Sequence, residues 1–114
     1  MTSFDADSFA RGLRELNDAE KRQIAQRLTE ARAEAARLID RLQRQAGCAE
    51  VVLFGSVADG SVRNLNFDID LAIVEGDLFR AVEIAEQSPF AVDVIDYNHC
   101  PAHVRASIDR HRAQ

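Results

Sequence analysis

Apolar residues recur along the first part of the chain at helical spacing. Ile24, Leu28, Ala31, Ala35, Leu38 and Leu42 follow one another at intervals of 4, 3, 4, 3 and 4, which lines them along one face of a helix. The stripe predicts a helix ending near Ala46, with Gly47 as the residue that stops it. Upstream, Ser3 to Leu16 reads as a shorter helix, interrupted at Asn17 and Asp18. Asn17 with Glu20 three residues on has the form of a capping box for the long helix. Such a stripe packs on the chain's own sheet or meets another surface. A helix of about 28 residues is roughly 40 Å long, more than a small domain covers, so part of it is expected to meet a partner or a second copy of the chain.

After Gly47 the pattern changes to that of strands. Val51-Val52-Leu53-Phe54 is a short apolar run closed by Gly55, the form of a buried strand. Ser56 to Asn66 is polar and reads as a loop with a helical turn after Ser56. Phe67 to Val74 is a second strand, and Glu75-Gly76-Asp77 turns into a helix over Leu78 to Gln87, with Asp77 as its N-cap. Ser88-Pro89 ends that helix, and Ala91 to Asp96 is a third strand. After a turn at Asn98 to Cys100, Pro101 takes the first position of a last helix that runs to Arg110. This order predicts an α/β fold: a small mixed β-sheet of three or four strands flanked by helices, with a long N-terminal helical extension. The expected division is an extension over 1–46 and a core over 47–114.

Composition narrows the function classes. The chain has 114 residues, 46% hydrophobic and 29% charged, which suits one globular domain and not a disordered one. Fourteen Lys and Arg against nineteen Asp and Glu leave a net charge of −5. That balance speaks against general nucleic-acid binding and against an anionic membrane surface. No apolar run approaches the roughly 20 residues of a membrane span, and the opening MTSFDADSFARGL has neither the basic leader nor the apolar segment of a secretory signal. Cys48 and Cys100 alone do not make a disulfide scaffold and read as reduced thiols, so the expected setting is cytoplasmic.

The unusual feature is acid inside apolar strands. In Phe67-Asp68-Ile69-Asp70-Leu71-Ala72-Ile73-Val74, alternation sends Asp68 and Asp70 to one face and Phe67, Ile69, Leu71 and Ile73 to the other. A further acid, Asp93, interrupts Val92-Asp93-Val94-Ile95. Asp is a poor strand former, and burying an unpaired carboxylate costs several kcal/mol. A hard divalent cation resolves the cost. Mg2+ takes carboxylate oxygens and shares its shell with substrate phosphates. Gly55-Ser56, directly after the first strand, allows close backbone approach and offers N–H groups to a phosphate.

With Phe54-Gly55-Ser56, Gly60, Asp68-Ile69-Asp70-Leu71 and Val92-Asp93-Val94-Ile95-Asp96, the chain resembles the minimal nucleotidyltransferases, small members of the polymerase-β-like nucleotidyltransferase superfamily. The resemblance covers residues 47–110. It implies that Gly55 and Ser56 hold the nucleotide phosphates and that Asp68 and Asp70 bind Mg2+. It further implies that Asp93, preferred over Asp96, completes the metal site or accepts the proton of the attacking hydroxyl. The implied reaction is transfer of AMP from ATP with release of pyrophosphate. Members of this size resemble the catalytic halves of pairs whose other half is an all-helical protein of HEPN type, some of them toxin–antitoxin systems.

The chain departs from the pattern in three places. The Ser56-to-Asp68 spacing is one residue longer than usual, Asp59 stands where a basic residue is common, and Phe67 replaces a common Ser. Arg63, in the same loop, is the cation available to compensate. The departures leave open a second reading, a non-catalytic subunit that keeps the fold and binds nucleotide or a partner. His99, Cys100 and His103 lack a standard zinc-ligand spacing and read as turn residues.

Overall fold

The computed structural model describes residues 5–112. Its first element, α1 (Ala6–Gln45), is one unbroken helix of 40 residues. Asp5 caps it, its side chain accepting from the Ser8 N–H at 3.1 Å. The break expected at Asn17-Asp18 does not occur, and the expected start at Ser3 lies outside the described residues. Both polar residues are exposed in mid-helix. Each costs only about 0.5 kcal/mol of helix propensity, and strong helix formers flank them. At Gly47 the chain takes φ +66 and leaves the helix, the left-handed exit that glycine permits.

The sheet has three strands, β1 (Glu50–Phe54), β2 (Ile69–Val74) and β3 (Val92–Asp96), in the order β1-β2-β3. β1 and β2 are antiparallel, while β2 and β3 are parallel. A parallel pair needs a crossover, and α3 (Leu78–Glu86) supplies it. Asp77 caps α3 as the sequence predicts, its carboxylate accepting from the Arg80 N–H at 3.1 Å. Asp77→Ala is expected to cost about 1 kcal/mol, read as a lower urea midpoint with an unchanged slope.

Alternation along the strands gives the sheet two faces. On one, Val51, Ile69, Leu71 and Ile73 pack against Ala31, Ala35, Leu38 and Leu42 of α1 and Ala81 and Ile84 of α3. On the other, Val52, Phe54 and Ala72 lie under Ile108 of α4 (Ala102–Arg112). The α1 stripe therefore serves the chain's own core from Ala31 to Leu42. Further up, Leu13 and Leu16 are exposed. A 40-residue helix is about 60 Å long, so α1 sets the 69 Å long axis of the molecule and overhangs the sheet. Among the described residues no helix is long and apolar enough to cross a membrane.

Two boundaries differ from expectation in ways that matter for the site. β2 begins at Ile69, not Phe67, so Asp68 stands just ahead of the strand. The reason is that β1 pairs only as far as Phe54 opposite Asp70. Gly55 then turns away into the short helix α2 (Gly55–Asp59), leaving residues 67–68 with no partner on that side. Pro101 precedes the first residue of α4, and its carbonyl accepts the Arg105 N–H at 3.0 Å.

Candidate active site

Asp70 sits on the central strand, opposite Phe54 on one side and Asp93 on the other. Cross-strand partners share a face, so Asp70 and Asp93 project side by side. By alternation they share the α4 face with Ala72, while Asp68 stands one residue ahead of the strand. Ile108 of α4 covers Val52, Phe54 and Ala72, and the acids lie beyond that cover. Asp68 and Asp93 are exposed, while Asp70 is half-buried. Burial, then the charge of Asp93, then that of Asp68, pushes the Asp70 carboxyl up from 3.8 to about 6. Asp70 and Asp93 thus project on one face, and the charges of Asp93 and Asp68 both reach Asp70.

The Gly55 turn lies against this end of the sheet. Phe54 is extended and Gly55 has φ +76, which swings the chain into α2. A Cβ on Gly55 would lie 2.3 Å from Asp70 Oδ2. The bare backbone therefore rests on the carboxylate. The N–H groups of the first turn of α2 have no helix carbonyl behind them, and Ser56 carries one of them. The Ser56 carbonyl closes the turn, accepting from the Gly60 and Ser61 N–H groups at 2.9 and 3.1 Å.

Two long-range anchors hold α2, and neither was foreseen from the sequence. Arg32 of α1 donates from Nε to the Val57 carbonyl at 3.0 Å and from Nη2 to the Ala58 carbonyl at 3.3 Å. Asp59 Oδ1 stands 2.7 Å from His111 Nε2 of α4, a close polar contact rather than an aligned hydrogen bond. The acid at position 59 thus ties α2 to α4. Arg63 is exposed and lines a separate groove with Lys21, Ile24, Leu28 and Val62. Among the described residues it makes no ion pair with the three acids.

Asp96 behaves differently from Asp93. It accepts from the Asn98 N–H at 3.0 Å and pairs with His99 Nδ1 at 2.9 Å. The His99 hydrogen bond, followed by that from Asn98, holds its carboxyl below the usual range. It is occupied in shaping the turn after β3.

Among the described residues, no three His, Cys, Asp or Glu side chains are drawn together closely enough to enclose a cation. The donor chemistry still fits one. Three carboxylates at one end of the sheet supply hard oxygen ligands, and the raised Asp70 pKa marks negative charge that a cation would relieve.

The site's elements fall within one recognised unit. The family model described as nucleotidyltransferase domain matches residues 35–112. No curated protein and no solved structure gives a significant match. The matched span holds the last part of α1, all three strands, the Gly55-Ser56 turn and the three acids. It covers well over half of the 114 residues, and the chain belongs to the nucleotidyltransferase domain family.

Proposed function

We propose that the chain is a Mg2+-dependent nucleotidyltransferase that moves AMP from ATP to a hydroxyl on a partner protein. The observation that carries this reading is the row Gly55, Asp70, Asp93. It sets a bare helix-opening backbone against two carboxylates on the uncovered end of one sheet face. Family membership supports nucleotidyl transfer and a nucleoside triphosphate as substrate, and the family typically uses a divalent metal.

In this reading Asp68 and Asp70 hold the cation, which when bound supplies charge neutralisation at the phosphates. The N–H groups at Gly55 and Ser56 receive phosphate oxygens, and Arg63 is the loop cation nearest in sequence to them. Asp93, exposed beside Asp70, accepts the proton of the acceptor hydroxyl. The hydroxyl oxygen bonds to the α-phosphorus, the bond from that phosphorus to the bridging oxygen breaks, and pyrophosphate leaves. The two free thiols support a cytoplasmic setting.

The partner suggested by the resemblance is an all-helical protein of HEPN type, with this chain as the antitoxin that modifies it. The exposed Leu13 and Leu16 on the overhanging part of α1 support a protein partner there, or a second copy of the chain. The rival reading, a non-catalytic nucleotide- or partner-binding subunit, draws on the Asp59–His111 contact. An acid committed to structure occupies a position where a phosphate-binding cation is common.

Incubation with α-labelled ATP, Mg2+ and the protein encoded next to this one decides between them. Label is expected on the neighbour, and Asp68→Asn is expected to cut transfer on the order of 100-fold. Full transfer by Asp68→Asn removes that acid from the site. Mg2+-independent ATP binding without transfer selects the binding subunit.

A further inference from the structure

The arginines of α1 meet different partners. Arg27 pairs with Glu30 at 3.0 Å and lies over the Phe90 ring. Arg37 pairs with Glu34, and Arg44 with Asp40. Arg32 makes no ion pair among the described residues. Its guanidinium reaches away from α1 and donates to two carbonyls of α2, that of Val57 at 3.0 Å and that of Ala58 at 3.3 Å. The bare backbone of Gly60 leaves room for the head group, since a Cβ there would lie 3.3 Å from Arg32 Nη2.

Those two carbonyls need an outside donor. The last carbonyls of a helix receive no N–H from a following turn. Here the Gly60 and Ser61 N–H groups both donate to the Ser56 carbonyl, so neither serves Val57 or Ala58. α2 has five residues and no side-chain cap at its front end, and a helix that short does not hold itself together in water. Val57 is fully buried and pins α2 to the core. Tilt about that pin is set by what grips the carbonyls. Arg32 is exposed, yet its backbone is fixed, because Ala31 beside it is fully buried and Ala35 one turn on nearly so. α1 packs on the sheet whose central strand carries Asp70. The guanidinium therefore ties α2 to the frame that holds the acid. At the front of α2 the Gly55 backbone lies so close to Asp70 that a Cβ would stand 2.3 Å from Oδ2. A helix of five residues is only about 7.5 Å long, so the grip on its carbonyl end fixes the angle at which its front end meets the carboxylate.

We propose that Arg32 is a positioning residue for nucleotide binding, holding α2 from behind so that Gly55 and Ser56 stay set against Asp70. The inference rests on the nucleotidyltransferase reading and adds to it a residue that touches neither nucleotide nor acid. Arg32 lies ahead of residues 35–112, which match the family, so the brace comes from the helical extension.

The test joins amide hydrogen exchange with calorimetry of ATP in the presence of Mg2+. The proteins are the natural chain, Arg32→Ala, Arg32→Lys and, as a control for lost stability away from α2, Asp77→Ala. In Arg32→Ala the Gly60 and Ser61 amides are expected to exchange about 10-fold faster, and ATP to bind about 10-fold more weakly. Arg32 is exposed, so its replacement leaves the core intact. Each carbonyl takes a single N–H, and an ammonium can supply one. Arg32→Lys is therefore expected to bind ATP within about threefold of the natural chain. Asp77→Ala is expected to change neither readout at α2. Unchanged exchange at Gly60 and Ser61 in Arg32→Ala overturns the proposal, as does faster exchange with ATP affinity intact. No recovery in Arg32→Lys overturns it too. Equal loss of ATP affinity in Asp77→Ala assigns the effect to general stability and overturns it as well. A natural chain that binds no ATP overturns the nucleotidyltransferase reading and the positioning role with it, whereas natural binding left untouched by Arg32→Ala overturns the role alone.

Discussion

Gly55→Ala is expected to abolish nucleotide binding and to lower the unfolding midpoint together. Two independent effects meet at this residue. Its φ of +76 lies in the left-handed region, where an L-residue costs about 1–2 kcal/mol. The added methyl would stand 2.3 Å from Asp70 Oδ2 and 3.2 Å from its Cγ. The strand beneath cannot yield, because Ile69 and Leu71 on either side of Asp70 are fully buried. Either the carboxylate rotates out of the acid row or α2 lifts away from it, and both outcomes separate the phosphate-facing backbone from the acids. The combined cost of strain and overlap is about 2–4 kcal/mol. In a domain of this size that lowers the midpoint by about 10 °C or more. Thermal unfolding and ATP calorimetry on the same preparation check it. An unchanged midpoint would show that the close approach of Gly55 to Asp70 is absent in solution.

Asp70→Asn is expected to lose function and gain stability. Asp70 is half-buried beside Asp93 and Asp68, and its carboxyl rises from 3.8 to about 6. A carboxyl with a raised folded pKa holds its proton more tightly in the folded state. Between about pH 4 and pH 6 the folded state binds more protons than the unfolded one, so stability falls as pH rises through that window. Above it the charge destabilises the fold throughout. The rise from 3.8 to about 6 corresponds to about 3 kcal/mol at full value, and solvent screening at a half-buried site reduces it to about 1–2 kcal/mol. Asparagine removes the charge and the repulsion with it. In chelator, Asp70→Asn is expected to exceed the natural chain by about 1–2 kcal/mol at pH 8 and to match it below pH 4. Transfer activity falls on the order of 100-fold in the same variant. Urea unfolding at the two pH values checks the stability half. A variant no more stable than the natural chain at pH 8 would mean that neither burial nor the neighbouring acids penalise the Asp70 charge.

What the chain discloses before folding depends on how far apart the interacting residues lie. The strands were legible because apolar runs such as Val51 to Phe54 have few alternatives at that length. The Asp77 cap was legible because its partner is three residues away. That Asp70 and Asp93 project together follows from neighbouring strands in one sheet, whereas Asp68 falls just ahead of β2, where strand period does not fix its direction. Asn17-Asp18 misled because residues that favour caps also tolerate an exposed mid-helix position when their neighbours carry the helix. The start of β2 was misjudged because a strand ends where its partner departs, and the departure is set at Gly55. Arg32 on the α2 carbonyls, Asp59 beside His111 and Arg27 over Phe90 join residues remote in sequence, and no local pattern announces them.

One rod carries several of these contacts. α1 plants Arg32 on the end of α2, lays Arg27 on Phe90, and seats Ala31 and Ala35 directly on the core. The same rod runs on, without a joint, to the overhang at Leu13 and Leu16. A hand on the far end of a stiff lever moves whatever is fixed near the fulcrum. A body bound to the overhang therefore holds the same continuous element that carries both arginines, at a distance from the acids.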